Sequence, residues 1–185
     1  QALQMLEKNT LLEQAGSEAT LLHAHLLFAL EQYDEAISLY KKYRDAHPAA
    51  HYVRFYETNS AIKAGKFEQA EKDVEELLKL TKGAPLANQY KAQIEYNKQN
   101  YQEAFNYADL AAKANNDFIT ARMVAGVSAY MLKNNESAYS YLNPLEKYLS
   151  NSHPVKKIIA VLKVRMGYVD EAVASFDALS DLTEN

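Results

Sequence analysis

The side chains able to do chemistry in this chain are five histidines, fourteen tyrosines and an even scatter of carboxylates; it has no cysteine and no tryptophan. Thiolate nucleophiles, thiolate metal sites and disulfides are therefore excluded, and the compartment stays open between cytosol and periplasm. His23 and His25 form the closest histidine pair. Two residues apart on a helix, they turn to different faces, which argues against a shared metal ion. His47, His51 and His153 stand near segment boundaries, where exposure to solvent is the expectation. There is no glycine-rich phosphate loop and no Gly-x-Ser-x-Gly nucleophile turn. Carboxylates spread along amphipathic helices form a wet face and not an acid–base pair. The reading is a non-enzyme with no catalytic residue, no metal site and no cofactor, with the non-catalytic arm of a larger enzyme as an alternative. What remains is recognition. Asn59, Gln93 and Asn97 can hydrogen-bond an extended backbone, tyrosines offer flat area with a polar tip, and Lys63, Lys157 and Arg165 can meet a carboxylate.

The elements that must position these groups are set by one stretch, Tyr33-Asp-Glu-Ala36. It recurs as Phe67-Glu-Gln-Ala70, Tyr101-Gln-Glu-Ala104, Asn135-Glu-Ser-Ala138 and Val169-Asp-Glu-Ala172, with the alanines always 34 residues apart. One step back lands on Ala2. A fixed period of this length signals a stacked-repeat array. Within it, apolar residues recur at helical spacing: Leu21, Ala24, Leu27 and Phe28, then Ala36, Ile37, Tyr40 and Tyr43. The period divides the chain into the second helix of a truncated repeat (1–16) and five helix-pair repeats, 17–50, 51–84, 85–118, 119–152 and 153–185, in one solenoid of about eleven antiparallel helices. Gly65 is placed to end a helix, Gly83 and Pro85 to punctuate a boundary, and Pro144 to break a backbone hydrogen bond and kink the helix it sits in. No segment has strand periodicity.

Helices joined by a two- or three-residue turn pack antiparallel, and close approach of their backbones needs small side chains at the crossing. The hinge alanines supply one side. Ala24, Thr58, Ala92, Gly126 and Ala160, again 34 apart, supply the other.

A hydrophobic fraction of 48% with 24% charged residues describes a globular chain. The net charge of -4 is spread without a basic face, so nucleic acid is not an expected partner. No run approaches the roughly 18 apolar residues of a transmembrane segment. The chain opens on Gln1 and reads as a piece of a longer protein. The apolar face of its last helix, Val169, Val173, Phe176 and Leu179, is expected to be covered by further repeats, a capping helix or a second copy in a homodimer.

The small residue in each first helix, the aromatic or apolar residue three before each hinge alanine, the alanine itself and Pro48 at the motif's end together resemble the tetratricopeptide repeat. Asn135 replaces the usual aromatic in the fourth copy. The resemblance implies an all-α, right-handed α-α superhelix whose concave groove binds a protein or peptide ligand. The run from Tyr90 through Leu182 also resembles the repeat lipoprotein of bacterial exopolysaccharide and PEP-CTERM sorting systems. The residues concerned are Lys91-Ala-Gln-Ile-Glu-Tyr96, Met123-Val-Ala-Gly-Val-Ser-Ala-Tyr130, His153-Pro-Val155 and Val164-Arg-Met-Gly167. That narrower likeness implies a periplasmic or outer-membrane-anchored protein working with polysaccharide-assembly components; without it, a cytoplasmic location is the expectation.

In the repeat family one stripe of each first helix lines the groove. Here it reads Leu21, His25 and Phe28; then Tyr52, Phe55, Asn59, Ile62 and Lys63; then Gln89, Gln93, Tyr96 and Asn97. It continues with Met123, Val127, Tyr130 and Met131, and ends with Lys157, Val161 and Arg165. Spacings of three and four put each set on one helical face. Phe28, Phe55 and Tyr96 equally fit packing between repeats. A carboxylate clamp for chaperone C-termini is not reproduced: Asn59 falls at a clamp position, but His25, Gln93, Val127 and Val161 stand at the equivalent ones. The amide-and-tyrosine surface would also suit a polysaccharide.

Overall fold

The computed structural model describes residues 16–115, 117–150 and 152–180, with the side chains of 176–180 left out. The helix expected over residues 1–16 lies almost wholly outside that range, and so do the side chains of Phe176 and Leu179. Among the described residues there are ten α-helices, one 3-10 segment and no strand. In chain order they are α1 (Gly16–Ala29), α2 (Tyr33–Ala46), α3 (Val53–Lys63), α4 (Phe67–Thr81), α5 (Pro85–Asn97), α6 (Tyr101–Ala114), α7 (Ile119–Met131), α8 (Asn135–Leu142), α9 (Pro154–Arg165) and α10 (Val169–Ser180). The chain divides into two compact units, Gln1–Tyr90 and Lys91–Asn185, and the division falls inside α5. In the first unit α1, α2, α3 and α4 pack in sequence; in the second α6, α7, α8, α9 and α10 do the same.

The turn inside each helix pair has one backbone solution, repeated every 34 residues. Glu31, Gly65, Gln99, Lys133 and Gly167 all adopt positive φ, from 61° to 82°. The residue after each donates its N–H to a carbonyl five back: Gln32 to Leu27 at 2.9 Å, Lys66 to Ala61 at 2.8 Å, Asn100 to Glu95, Asn134 to Ala129 and Tyr168 to Lys163 at 2.9 Å each. This is the Schellman closure, which satisfies the last carbonyls of the first helix while reversing the chain. The second helix then begins, and the hinge alanine N–H reaches back to the turn, as in Ala104 N to Asn100 O at 2.9 Å.

The small residues meet where the helices cross. Ala36, Ala70, Ala104 and Ala138 are completely buried, and so are Ala24, Thr58, Ala92 and Ala160 on the first helices. Thr58 satisfies its hydroxyl by donating to Arg54 O one turn back, at 2.8 Å. Gly126 is the tightest of these points: a Cβ there would lie 2.5 Å from Leu142 Cδ2 and 3.1 Å from Tyr141 Cβ. Large side chains fill the space beside these crossings. Tyr40, Leu77, Ile94, Leu142, Leu145, Ile159 and Leu162 are fully buried, each worth roughly 1.5–3 kcal/mol of transfer free energy.

Pro144 acts more strongly than a kink. Helix α8 stops at Leu142, and Asn143–Tyr148 form the 3-10 segment, with the proline in its first positions. A proline ring there needs no N–H, and the tighter helix avoids the clash that an α-helical continuation would create. The 3-10 segment still buries Leu145 and places Glu146 against α9 and α10, where Lys163 Nζ bonds Glu146 Oε2 at 2.7 Å and Ser175 Oγ donates to Glu146 Oε1 at 3.0 Å.

Candidate recognition surfaces

In the first unit candidate residues of α1 and of the start of α3 form an aromatic cluster with Tyr40 of α2. His25 is half-buried and shares a 2.8 Å hydrogen bond between Nδ1 and the Tyr40 hydroxyl. Its ring stands edge-on to Tyr40, with centroids 5.4 Å apart, and to Tyr56 at 4.6 Å. Burial holds the His25 pKa below the usual histidine value, which keeps the ring neutral near pH 7. Burial, with Tyr56 alongside, pushes the Tyr40 phenol far above its ordinary value, so it stays protonated. Tyr52 is half exposed and perpendicular to Tyr56 at 6.4 Å. Tyr56, 43% exposed, stacks on Tyr40 and joins His25 to Tyr52. It was absent from the expected stripe, although its spacing of four from Tyr52 carries the signal. Phe28 is a packing residue, set edge-on to Tyr33 and against the core of Ala24, Leu27, Ala36 and Tyr40. Phe55 is half-buried, 6.4 Å from the Tyr90 ring. Asn59 and Gln89 are half-buried and Lys63 is exposed.

In the second unit Tyr96, Met123 and Val127 come together with Val124, Pro154, Val155 and Ile158 around a cleft of about 290 Å³. Three helices contribute: α5, α7 and α9. Tyr96 is 36% exposed and braced edge-on against Tyr101 at 5.7 Å. The cleft lining carries no charge. Tyr130, Lys157 and Arg165 lie outside it. The Arg165 guanidinium sits 5.4 Å over the Tyr130 ring and donates to Asn135 Oδ1 at 3.2 Å, so the residue that interrupts the aromatic pattern serves as its acceptor. Gln93 is half-buried, while Asn97 and Lys157 are exposed.

A second cleft of the same unit, about 420 Å³, lies between α6 and α8, lined by Phe105, Asp109, Lys113, Glu136, Ser137, Ser140 and Tyr141. The Tyr141 hydroxyl donates to Asp109 Oδ1, and Lys113 Nζ meets Asp109 Oδ2 at 2.8 Å. Sequence reading passed over this group because its members look like an ordinary solvated helix face.

His47 and His153 make structural contacts. His47, expected to face solvent, is half-buried, stacks on Tyr43 and bonds Tyr43 O through Nδ1 at 2.9 Å. His153, likewise half-buried, caps α9 by accepting the Val155 N–H at 3.2 Å. Among the described residues no group of three or more His, Cys, Asp or Glu is placed to hold a metal ion, and no helix is long and apolar enough to cross a membrane.

Helix pairs closed by a left-handed turn every 34 residues and crossing at buried small residues define an α-α repeat protein. Residues 58–118 match the family model described as tetratricopeptide repeat. Over that third of its length the chain is similar to the tetratricopeptide-repeat family, whose members are as a rule non-catalytic interaction scaffolds. No curated protein matches it. Its fold is similar to that of a chain in the crystal structure of the APC/C hetero-tetramer Cut9–Hcn1, with a TM-score of 0.78 and 18% identity over all of this chain and 37% of that one. It is similar too to TTC0263, a thermophilic TPR protein of Thermus thermophilus (TM-score 0.63, 18% identity, 90% of this chain and 91% of that one). MamA aligns with a TM-score of 0.69 and 16% identity over 91% of this chain and 92% of its own. At such identities the likeness is one of fold.

Proposed function

We propose that the chain is a non-catalytic scaffold that binds an extended protein or peptide segment along its first-helix faces, with a large apolar side chain of that segment in the α5–α7–α9 cleft. The observation that carries this reading is the cleft itself: three successive first helices supply an uncharged lining and one half-open aromatic, Tyr96. Such a cavity rewards burial of apolar area and offers nothing to a lone carboxylate. The test is selection of short peptides from a display library on the whole chain, followed by titration against Tyr96→Ala and Val127→Asn variants that retain their helical circular dichroism. Selected peptides should share a bulky apolar residue, and each variant should weaken them about tenfold or more. Binding that ignores both substitutions would remove the cleft from the mechanism.

A second reading places a glycan in the α6–α8 cleft, supported by its two aromatic rings, two carboxylates and two serine hydroxyls. Titration with neutral oligosaccharides separates the two: glycan binding should be lost in Asp109→Asn and be indifferent to Tyr96→Ala. A place in exopolysaccharide export or surface-protein assembly is supported by the residue likeness over Tyr90–Leu182 alone.

A further inference from the structure

Four charged side chains lie buried or half-buried where α2, α3 and α4 meet, outside both candidate recognition surfaces. Glu57 on α3 is 2% exposed and Asp73 on α4 is 9% exposed. Arg44 of α2 places Nη1 2.5 Å from Glu57 Oε2 and 3.9 Å from Asp73 Oδ1. Arg54 of α3 places Nη1 3.3 Å from Asp73 Oδ1 and 2.7 Å from Glu76 Oε2. The remaining charges facing the group are on the rim: Asp45 of α2, 3.7 Å from Arg44 Nη2, and Glu76 of α4. Asp73 Oδ2 is buried and has no hydrogen-bond partner.

This geometry is not balanced for two full negative charges. Both carboxylates converge on the one nitrogen Arg44 Nη1, each guanidinium is shared with a rim carboxylate, and one buried oxygen has no donor at all. Carboxylates that outnumber the guanidiniums they share favour retention of a proton on the buried pair. We propose that Arg44, Arg54, Glu57 and Asp73 form a proton-linked lock that holds α3 between α2 and α4 while the carboxylate pair keeps one proton, and releases α3 when that proton leaves. In line with this, burial and the Asp73 charge push Glu57 up to about 7 against the pull of both arginines, and burial raises Asp73 as well. The helix so controlled carries Phe55, Tyr56 and Asn59 on its opposite side, but the lock is a property of the chain alone and stands whether or not those residues bind anything.

The sign follows from linkage. A carboxyl whose folded pKa lies above its unfolded value binds its proton more tightly when folded, so its contribution is present at low pH and is lost as pH rises through the window between about 4.5 and about 7. In that window the opening constant of α3 and α4 should rise by close to tenfold per pH unit. The experiment uses the whole chain and two readouts. The side-chain carboxyl carbon of Glu57 is followed by NMR from pH 3 to pH 9, and urea midpoints are measured across pH 5–8 for the wild type, Glu57→Gln and the rim control Glu76→Gln. Expected results are a Glu57 titration centred near 7, and a fall of midpoint with pH in the wild type and Glu76→Gln that Glu57→Gln lacks. If Glu57→Gln does not fold, the wild-type titration still decides. A Glu57 carboxyl titrating near the ordinary 4.5, or a Glu57→Gln protein with the wild-type pH slope, overturns the lock.

Discussion

Replacing Gly126 by alanine sets helix propensity against packing. In an isolated helix the substitution gains about 1 kcal/mol, because glycine is the costlier residue to order. In this molecule the added Cβ would lie 2.5 Å from Leu142 Cδ2 and 3.1 Å from Tyr141 Cβ. The Leu142 side chain has no room to retreat: it is fully buried among Ala129, Ala138, Val155, Ile159 and Leu162. The Tyr141 Cβ is fixed to the α8 backbone. Overpacking costs about 1–3 kcal/mol, and with both neighbours pinned the upper half of that range applies. The net expectation is a loss of about 1–2 kcal/mol, or a melting temperature lower by about 3–6 °C for a chain of this size. The assay is thermal and urea denaturation of the whole chain, with Leu142→Ala and the double variant completing a cycle. Because the truncated leucine makes room for the methyl group, the double variant should cost at least about 0.5 kcal/mol less than the sum of the singles. A Gly126→Ala protein more stable than the wild type, or strict additivity in the cycle, would refute the close-crossing argument.

Two further outcomes are expected. Gln99 holds φ at 63° in the Schellman turn between α5 and α6, a region costing a side-chain-bearing residue roughly 1–2 kcal/mol. Gln99→Gly should therefore stabilise the chain by about 0.5–1 kcal/mol in urea denaturation, the greater freedom of unfolded glycine offsetting part of the gain. His25 is held below its ordinary 6.5 by burial, so the folded protein resists its protonation. Stability associated with His25 is complete above that value and is lost as pH falls through the lowered folded pKa; His25→Gln should therefore gain melting temperature relative to the wild type as pH falls from 7.5 to 5, adding to the opposite trend set by Glu57.

Most of the architecture could be read from residue type and spacing because it depends on side-chain volume. Ala36, Ala70, Ala104 and Ala138 are small where backbones approach, and their 34-residue spacing is visible without coordinates. The turns were only half visible. Gly65 and Gly167 advertise positive φ, but Glu31, Gln99 and Lys133 adopt the same geometry with no sign in their identity, since packing of the helix pair dictates the reversal and outweighs the local cost. Pro144 announced a disturbance, and whether the chain kinked or changed helix type depended on what Leu145 and Glu146 pack against. For the cleft, the helical stripe supplied Tyr96, Met123 and Val127. It missed Val124, Pro154, Val155 and Ile158, of which Pro154 and Val155 open α9 and reach the cleft through the placement of that helix. The Arg44–Glu57–Asp73–Arg54 group was invisible: each member, taken on its own helix, resembles a solvated charge.

The most direct test of the binding account is a photo-crosslink from the cleft. A photoreactive residue replaces Tyr96 in the protein expressed in its own cells, and crosslinked species are identified by mass spectrometry. The account predicts a polypeptide partner, captured through a segment bearing a large apolar side chain and lost when Val127→Asn is added. Crosslinks only to glycan, or only to a second copy of the chain, would contradict it.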